Sequence, residues 1–412
     1  MRRWRTHVIV LLGLALVAGA VVAGVGWADR RKGSVTVLGN WTGTDQERFE
    51  REVLQPFEEE HGIRVVYQGS SAESQVLAAD VASGAPPDVV VMPGPGELAA
   101  YAAQGRLKPL DGLFSPDHYG PMWVPELEGG VHWVPVKTDL KSMVWYPGAL
   151  TEAEAARVAR DPGEWCLAME SGATSGWPGT DWVEDVLLQQ AGWETYQKWA
   201  TGRLPWTDPA VLKAWTTWDD LVGAGDRRRV ERTLLAPYQD PWSGEHRACT
   251  DERLEHQAAF VRSTPHWTAV RGRYVHAGAV IPDARRDLTA WEVSGDLAAM
   301  LHDTPEARAL IRHLADPGTA RLGFTANRAV PTGAYDADPM TARIDATLRG
   351  RGTMRCWDAS DAMPPAMRDA FHQAALRFLA DRRELTTRLA VLEEVRRRHG
   401  RAAWLPSACG DG

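Results

Sequence analysis

The stretch Glu170-Ser-Gly-Ala-Thr-Ser-Gly-Trp177-Pro-Gly-Thr180-Asp181-Trp182 sets two tryptophans and two carboxylates among small residues. An indole offers a flat apolar face, and carboxylates are strong hydrogen-bond acceptors. The pair suits a ring with C–H groups on its face and hydroxyls around its edge. Gly-Trp-Pro-Gly imposes unusual backbone angles, so the segment reads as a shaped turn. The run Val183-Glu-Asp-Val-Leu-Leu-Gln-Gln-Ala that follows has helical apolar spacing. Asp181 stands at its start, where a carboxylate can accept backbone N–H bonds. A tryptophan-rich turn buried as core satisfies the same pattern, and these residues alone leave both readings open.

Other chemistry is sparse. Glu184 and Asp185 are neighbours on the predicted helix and diverge, which makes a poor acid/base pair. A glycosidase needs two carboxyls across the scissile bond at a defined separation, a distance that chain order does not set. The sequence has no nucleophile elbow, no His-Glu-x-x-His and no phosphate-binding glycine loop.

Composition narrows the classes further. The 412 residues are 44% hydrophobic and 24% charged, with ample core for two or three domains. A net charge of -8 excludes a general nucleic-acid binder. Tryptophan, at 19 residues against 7 Phe and 8 Tyr, is the outlier. Because a buried indole N–H must also be satisfied, this surplus leans towards carbohydrate or another stacked ligand.

Arg2, Arg3 and Arg5 precede an apolar run over residues 8–28, long enough for a bilayer that needs about 20 such residues. It is expected to be a secretory signal or a retained membrane anchor. Gly26-Trp-Ala28 offers a cleavage site, while Arg30, Arg31 and Lys32 argue for retention. Either way the remainder is expected outside the cytoplasmic membrane. Cys166, Cys249, Cys356 and Cys409 fit an exported chain with disulfides; of three possible connectivities, Cys166–Cys249 with Cys356–Cys409 is preferred. Their spacing is too wide for a zinc knuckle, and no metal or cofactor is expected.

The elements that must position the motif follow in order. A strand at Val35–Leu38 leads into a helix to Gly62, opened by a Thr44/Glu47 capping box. A strand at Ile63–Tyr67, a helix from Ala72, a strand at Asp88–Met92 and a helix ending near Gly105 continue the alternation, which indicates parallel βαβ units. Ligands of such sheets sit beyond the carboxyl ends of the strands, where Trp41, Ser70, Ser71 and the Pro93-Gly-Pro95-Gly96 turn fall. The extended stretch from Gly130 to Tyr146 is a candidate crossover between lobes. Gly223–Gln257 is polar and irregular, Phe260–Val280 alternates like strand and turn, and Ser294-Gly-Asp296 reads as a helix start. Arg396-Arg-Arg-His is a solvated helix end, suited to the helix dipole.

The order of Gly39-Asn-Trp-Thr-Gly, Pro87-Asp-Val, Pro93-Gly-Pro-Gly, Trp145-Tyr146, Glu170-Ser-Gly through Trp182, Ser294-Gly-Asp, Thr304-Pro-Glu-Ala and Asp358-Ala-Ser-Asp361 resembles the extracellular solute-binding proteins of ABC sugar importers. The branch is the carbohydrate-binding one related to maltose-binding protein, and the likeness covers roughly residues 35–363. It implies an α/β, two-lobe periplasmic-binding-protein-like fold with a hinge and an interlobe ligand cleft. The implied division is residues 1–33 as signal or anchor, 34–137 with 285–335 as the first lobe, and 138–284 with 336–412 as the second. It also implies a monomer that binds a glucoside or oligosaccharide without catalysis and hands it to ABC permease subunits. Carried over by position, Trp41 and Trp177 become stacking platforms. Thr42, Asp45, Ser71, Pro95, Lys137, Glu170, Thr180, Asp181 and Asp361 become further ligand-binding residues. For Asp45 and Asp361 a helix-cap role also fits, and Lys137 fits a snorkelling surface lysine. One departure is plain: no cysteine precedes Cys166, so the lipid anchor common in the family is not expected. A membrane-tethered interaction domain that has lost transport, and a glycoside hydrolase, remain the rival classes.

Overall fold

The computed structural model describes residues 33–411 except 224–226, 251–252, 257–271, 288, 320–321, 336–337 and 401–402. The apolar run over 8–28, and most of the strand-like alternation expected from 260, lie outside the described residues. The strands are β1 (Gly33–Gly39), β2 (Ile63–Gly69), β3 (Val89–Met92), β4 (Trp133–Leu140), β5 (Met143–Tyr146), β6 (Trp165–Cys166), β7 (Leu254–His256), β8 (Arg273–His276), β9 (Ala290–Met300), β10 (Met354–Trp357) and β11 (Cys409–Asp411).

β1 pairs in parallel with β2 and β3, with helices between them, as the alternating pattern requires. Val89–Met92 is a wholly buried apolar run, the composition of a strand covered on both faces. The helix after β1 runs through Gly43–Phe49, a π turn at Glu50–Leu54 and Gln55–His61. It starts two residues earlier than the capping box implies: Thr42 is the N-cap, with no side-chain bond.

β9 has two sets of neighbours. Its first residues, Ala290–Val293, lie parallel to β10, whereas Leu297–Met300 lie antiparallel to β3. β4 runs antiparallel along β9 from Trp133↔Ala299 to Leu140↔Val293, with an irregularity between Pro135 and Lys137. β9 therefore joins the β10–β11 side of this seven-stranded sheet to the β3-β1-β2 side, and β4 lies along it. Ser294-Gly-Asp296 sits in the middle of β9 and does not start a helix. Every residue of β9 is buried, and pairing of Ser294, Gly295 and Asp296 with Asp139, Thr138 and Lys137 of β4 overrides the local cap-like signal. Gly295 is needed there, because a Cβ would lie 2.6 Å from the Lys137 carbonyl oxygen.

The second sheet runs β6-β7-β5-β8. Against this lobe pack the helices Trp177–Ala191, Trp193–Ala200, Pro209–Val222 and Pro365–Ala380. Gly223–Gln257 is less irregular than its composition suggests, holding the helix Arg227–Leu235 as well as β7. Most of the tryptophan surplus is spent on the core here. Trp199, Trp206 and Trp215 crowd around Phe371, and Trp215 and Trp218 pack on Phe378. Trp199 and Trp206 meet at 64°, so indole edges turn towards neighbouring ring faces. Indole count is thus a weaker sign of a stacked ligand than composition implied.

Cys166 pairs with Cys249, and Cys356 pairs with Cys409 across the β10–β11 ladder. The basic Arg396-Arg-Arg run is internally paired, Arg396 and Arg397 with Glu393 and Arg398 with Glu394. Among the described residues no helix is long and apolar enough to cross a membrane.

The helix Trp177–Ala191 depends on its first glycine. Gly176 holds a φ of 105°, and a Cβ there would lie 2.5 Å from the His372 carbonyl oxygen. Gly176→Ala is expected to destabilise the fold by about 2 kcal/mol or more, read as a lower urea midpoint at unchanged m value.

Candidate functional site

The turn expected at Gly176-Trp-Pro-Gly is instead the entry to the helix. Helical geometry begins at Trp177, with Pro178 in the first turn where its missing N–H costs nothing. Asp181 is therefore not a cap. It lies one turn inside, 3% exposed, and its Oδ2 accepts a 2.8 Å hydrogen bond from Lys141 Nζ.

Lys141 follows β4 directly, and its backbone N–H donates to the Glu292 carbonyl of β9 at 2.8 Å. The ammonium bonds Asp358 as well as Asp181, stands 3.9 Å from Glu292, and lies 5.4 Å from the Trp177 ring centre. Asp181, Glu292 and Asp358 bring oxygens within 4.8 Å of one another, a spacing that would suit a metal ion. Lys141 is the cation they share. Burial works against its charge, but the carboxylates of Asp181, Asp358, Glu292 and Asp361 outweigh burial and hold its pKa well above the usual lysine range. Burial pushes Asp181 up to about 7 against the pull of Lys141. Glu184 and Glu292 are raised well above the carboxylate range, chiefly by burial and then by their acidic neighbours. Asp358 goes the other way: Lys141 and hydrogen bonds from Glu184 and Ser360 outweigh its burial and keep it ionised.

Glu184 and Asp185 diverge as adjacent helical residues must. Glu184 accepts from the backbone N–H groups of Ala359 at 2.5 Å and Ser360 at 3.3 Å, beneath the short helix Ala359–Ala362 whose N-cap is Asp358. Asp185 takes the Ser142 hydroxyl at 2.8 Å, Gln189 at 2.8 Å and His256 Nε2 at 2.7 Å. The order Ser–Asp–His puts the carboxylate in the middle. A serine nucleophile needs the imidazole there, so this constellation is structural.

On the other lobe, Lys137 Nζ bonds Asp139 at 2.9 Å and Asp296 at 3.3 Å, so it does not snorkel to the surface. Asp296 also accepts from Asn40 at 2.7 Å and from the Trp41 indole at 3.2 Å. Trp41 is 7% exposed and edge-packed on Phe49 with centroids 4.7 Å apart, so it presents no open stacking face. Burial lifts Asp139 to about 6 despite Lys137.

Around the half-buried Trp177 the remaining residues sort clearly. Asp361 is half-buried beside the Lys141 cluster, where burial, then Asp358, raise its pKa well above the usual range. The Thr180 hydroxyl is turned back onto the Trp177 carbonyl at 3.0 Å. Glu170 is exposed and accepts from Gly172 N–H at 2.8 Å, bracing its own loop. Ser71 is exposed, its hydroxyl near Gly172 of that loop. Pro95 is buried at the start of the helix Pro95–Ala103. Thr42 and Asp45 are exposed, and Asp45 stands 4.0 Å from Arg48. The structure thus gathers Trp177, Asp181 and Asp361 around Lys141, and Trp41 and Lys137 around Asp296. Thr42, Asp45 and Glu170 stand exposed outside both groups, and the Thr180 hydroxyl is engaged by the Trp177 carbonyl.

Sequence reasoning missed Tyr238, whose ring centroid lies 4.2 Å from that of Trp177 at 63°. It came from the segment read as irregular. Tyr238 Oη, Asp181 Oδ1, Asp139 Oδ1 and both Glu292 oxygens are buried with no hydrogen-bond partner among the described residues. Such groups are costly unless something meets them.

Comparison with known proteins gives the arrangement its context. Residues 40–204 match the family model described as bacterial extracellular solute-binding protein. The chain is 31% identical over 377 residues to the alpha-glucosides-binding periplasmic protein AglE of Rhizobium meliloti (strain 1021), covering 82% of this chain and 81% of that one. The chain belongs to the bacterial extracellular solute-binding proteins. It is also 30% identical over 403 residues to the osmoprotective compounds-binding protein GgtB of Synechocystis, covering 88% of this chain and 91% of the relative. Among solved structures it is similar to the solute receptor AcbH, with a TM-score of 0.71 at 14% identity over 89% of this chain and 99% of that one. A chitin oligosaccharide binding protein is similar at a TM-score of 0.65 and 17% identity, over 89% of this chain and 98% of the other. These matches establish the two-lobe α/β fold with its hinge and interlobe cleft. The relatives named here are binding proteins.

Two stability predictions follow from the buried charges. Lys141→Met strands Asp181 and Asp358 without their cation and is expected to cost about 3–5 kcal/mol in urea unfolding at pH 7. Glu73, buried near Glu97 and Asp296, is pushed by burial from 4.5 up to about 7. Between those values the folded chain binds more protons than the unfolded one, so stability falls as pH rises from about 4.5 to 7. Glu73→Gln should remove that contribution, on the order of 2–3 kcal/mol, flattening the melting-temperature profile in this window and leaving the variant more stable above pH 7.

Proposed function

We propose that the chain is the extracytoplasmic substrate-binding component of an ABC-type carbohydrate import system, taking a glucoside or oligosaccharide without turning it over. The carrying observation is the half-buried Trp177 face, with Tyr238 Oη and Asp181 Oδ1 buried nearby and unsatisfied by protein, and Asp361 half-buried alongside. A sugar ring stacks its C–H face on the indole, and its hydroxyls supply the bonds those atoms lack. The name of the alpha-glucosides-binding relative AglE supports the ligand class. Trp177, Asp181 and Asp361 form the second lobe's grip, with Ser71, Pro95 and Lys137 on the facing side. The lobes divide at residues 34–137 with 285–335 against 138–284 with 336–412. Residues 8–28 tether the chain to the outer face of the membrane or are removed on export, and the protein works as a monomer with permease subunits.

A melting-temperature screen of the chain from Gly33 against mono- and oligosaccharides tests this reading, because a ligand that binds only the native state must raise stability by mass action. A rise with an α-glucoside or a related oligosaccharide is expected. No rise with any sugar at millimolar concentration would instead favour an interaction domain that has lost sugar binding, and release of product would favour a hydrolase. Trp177→Ala should weaken binding at least tenfold, about 1.4 kcal/mol, while the protein stays folded; a collapsed fold would mean that this indole is core.

A further inference from the structure

Beside Asp361, two helices that follow β2 and β3 meet the backbone after Asp361 and the helix Pro365–Ala380 along a buried seam. Gly96, in the first turn of the helix Pro95–Ala103, lies directly on the backbone that follows Asp361. A Cβ on Gly96 would stand 2.3 Å from the Ala362 carbonyl oxygen and 2.4 Å from that of Met363, where no real Cβ fits. Its φ is not in the left-handed region, so the position needs glycine for closeness alone. The next residue, Glu97, is 1% exposed and accepts hydrogen bonds from Ser74 Oγ at 2.6 Å and Arg368 Nη1 at 3.0 Å. Arg368 Nη2 donates to Ser74 Oγ at 3.0 Å, closing a three-residue ring of bonds. Ser74 and Glu97 belong to helices that follow β2 and β3; Arg368 belongs to the helix Pro365–Ala380 of the other lobe.

We propose that Gly96, Glu97, Ser74 and Arg368 form the closing seam of the cleft, positioning residues that set how firmly the two lobes hold a ligand without touching it. The inference rests on the reading of the cleft as a sugar site. A buried guanidinium–carboxylate pair exists only while the lobes are together; apart, water solvates both charges. Its net strength is small because desolvation offsets most of the attraction. What it supplies is register: the fork of Arg368 accepts one placement of Glu97 and Ser74. That placement also fixes the short helix carrying Asp361, whose carbonyl oxygen is 3.6 Å from where a Gly94 Cβ would stand. Gly96 sets the approach distance. A side chain there leaves the open form untouched and blocks the closed one. Ligand affinity falls by the fraction of molecules able to close.

The test uses the full chain, Gly96→Ala and Arg368→Gln, with a sugar found to bind the wild type. Gly96→Ala is expected to weaken binding at least tenfold through faster dissociation. Its melting temperature without sugar should hold or rise, since Ala favours a helix over Gly. A merely structural glycine would instead lower the melting temperature and leave the affinity of the folded protein alone. Arg368→Gln should act in the same direction on dissociation. Small-angle scattering, with and without sugar, should give a larger radius of gyration for both variants than for the wild type. Wild-type affinity and radius in both variants would overturn the seam. If no sugar binds even the wild type, the ligand reading fails separately, and the radii without sugar still decide the seam: larger in the variants supports it, equal overturns it.

Discussion

One ammonium group organises the second lobe. Lys141 sits where β4 leaves β9, and its Nζ draws in Asp181 from the helix Trp177–Ala191 and Asp358 from the cap of the helix Ala359–Ala362. Taking so many ionisable groups out of water is costly unless charge is cancelled. Cancellation here has two parts. Lys141 stays charged against ionised Asp358, and the surplus acids Glu184 and Glu292 are pushed towards their neutral, protonated forms. The cluster contributes less net stability than its bond count suggests. It fixes where the helix start, and hence Trp177, must stand.

The same logic extends along the hinge. Lys137, Asp139 and Lys141 alternate along the extended chain and so share one face of it. Lys137 pairs in register with Asp296, and Asp139 with Ser294, while the Lys141 N–H reaches the carbonyl of Glu292. The hinge ribbon therefore carries a stripe of opposite charges on one face and Thr138, Leu140, Val293 and Leu297 among its buried residues. Each lobe's anchor to that stripe is an indole: Trp41 through its N–H to Asp296, and Trp177 beneath Lys141. Cross-strand pairing links the position of both to a single pair of strands.

How much of this was legible depends on how local the cause is. The alternation of strands and helices and the extended chain from Gly130 to Tyr146 follow from period and residue type alone. Ser294-Gly-Asp296 misled because its cap-like pattern is local, whereas its strand is imposed by β3, β4 and β10 from elsewhere in the chain. Asp181 misled for the same reason: the helix begins a turn earlier, and its partner is forty residues away in the hinge. Lys141, Glu292 and Tyr238 carry no motif, and only the tertiary fold brings them to the residues that do. Trp41 was conspicuous in sequence yet spends its face on the core, because composition counts indoles without saying which faces are covered.

The partners of these acids also bear on whether the site grips or reacts. A general acid or base must exchange a proton with the bound molecule, which requires a carboxyl free to reach it. Here Asp358 is committed to Lys141, Ser360 and the cap of a helix, and Glu184 to two backbone amides. Asp185 is enclosed by Ser142, Gln189 and His256. Asp181 keeps one oxygen on Lys141 and has one to spare, which suffices to accept a hydroxyl proton in a hydrogen bond. Asp361 is the half-buried member of the cluster, on the short helix that the lobe seam braces. Asp358, Glu184 and Asp185, held in this way, fix the shape of the lobe around Trp177. In this cluster Asp181 Oδ1 and the Glu292 oxygens are the buried acceptors left without a hydrogen-bond donor among the described residues.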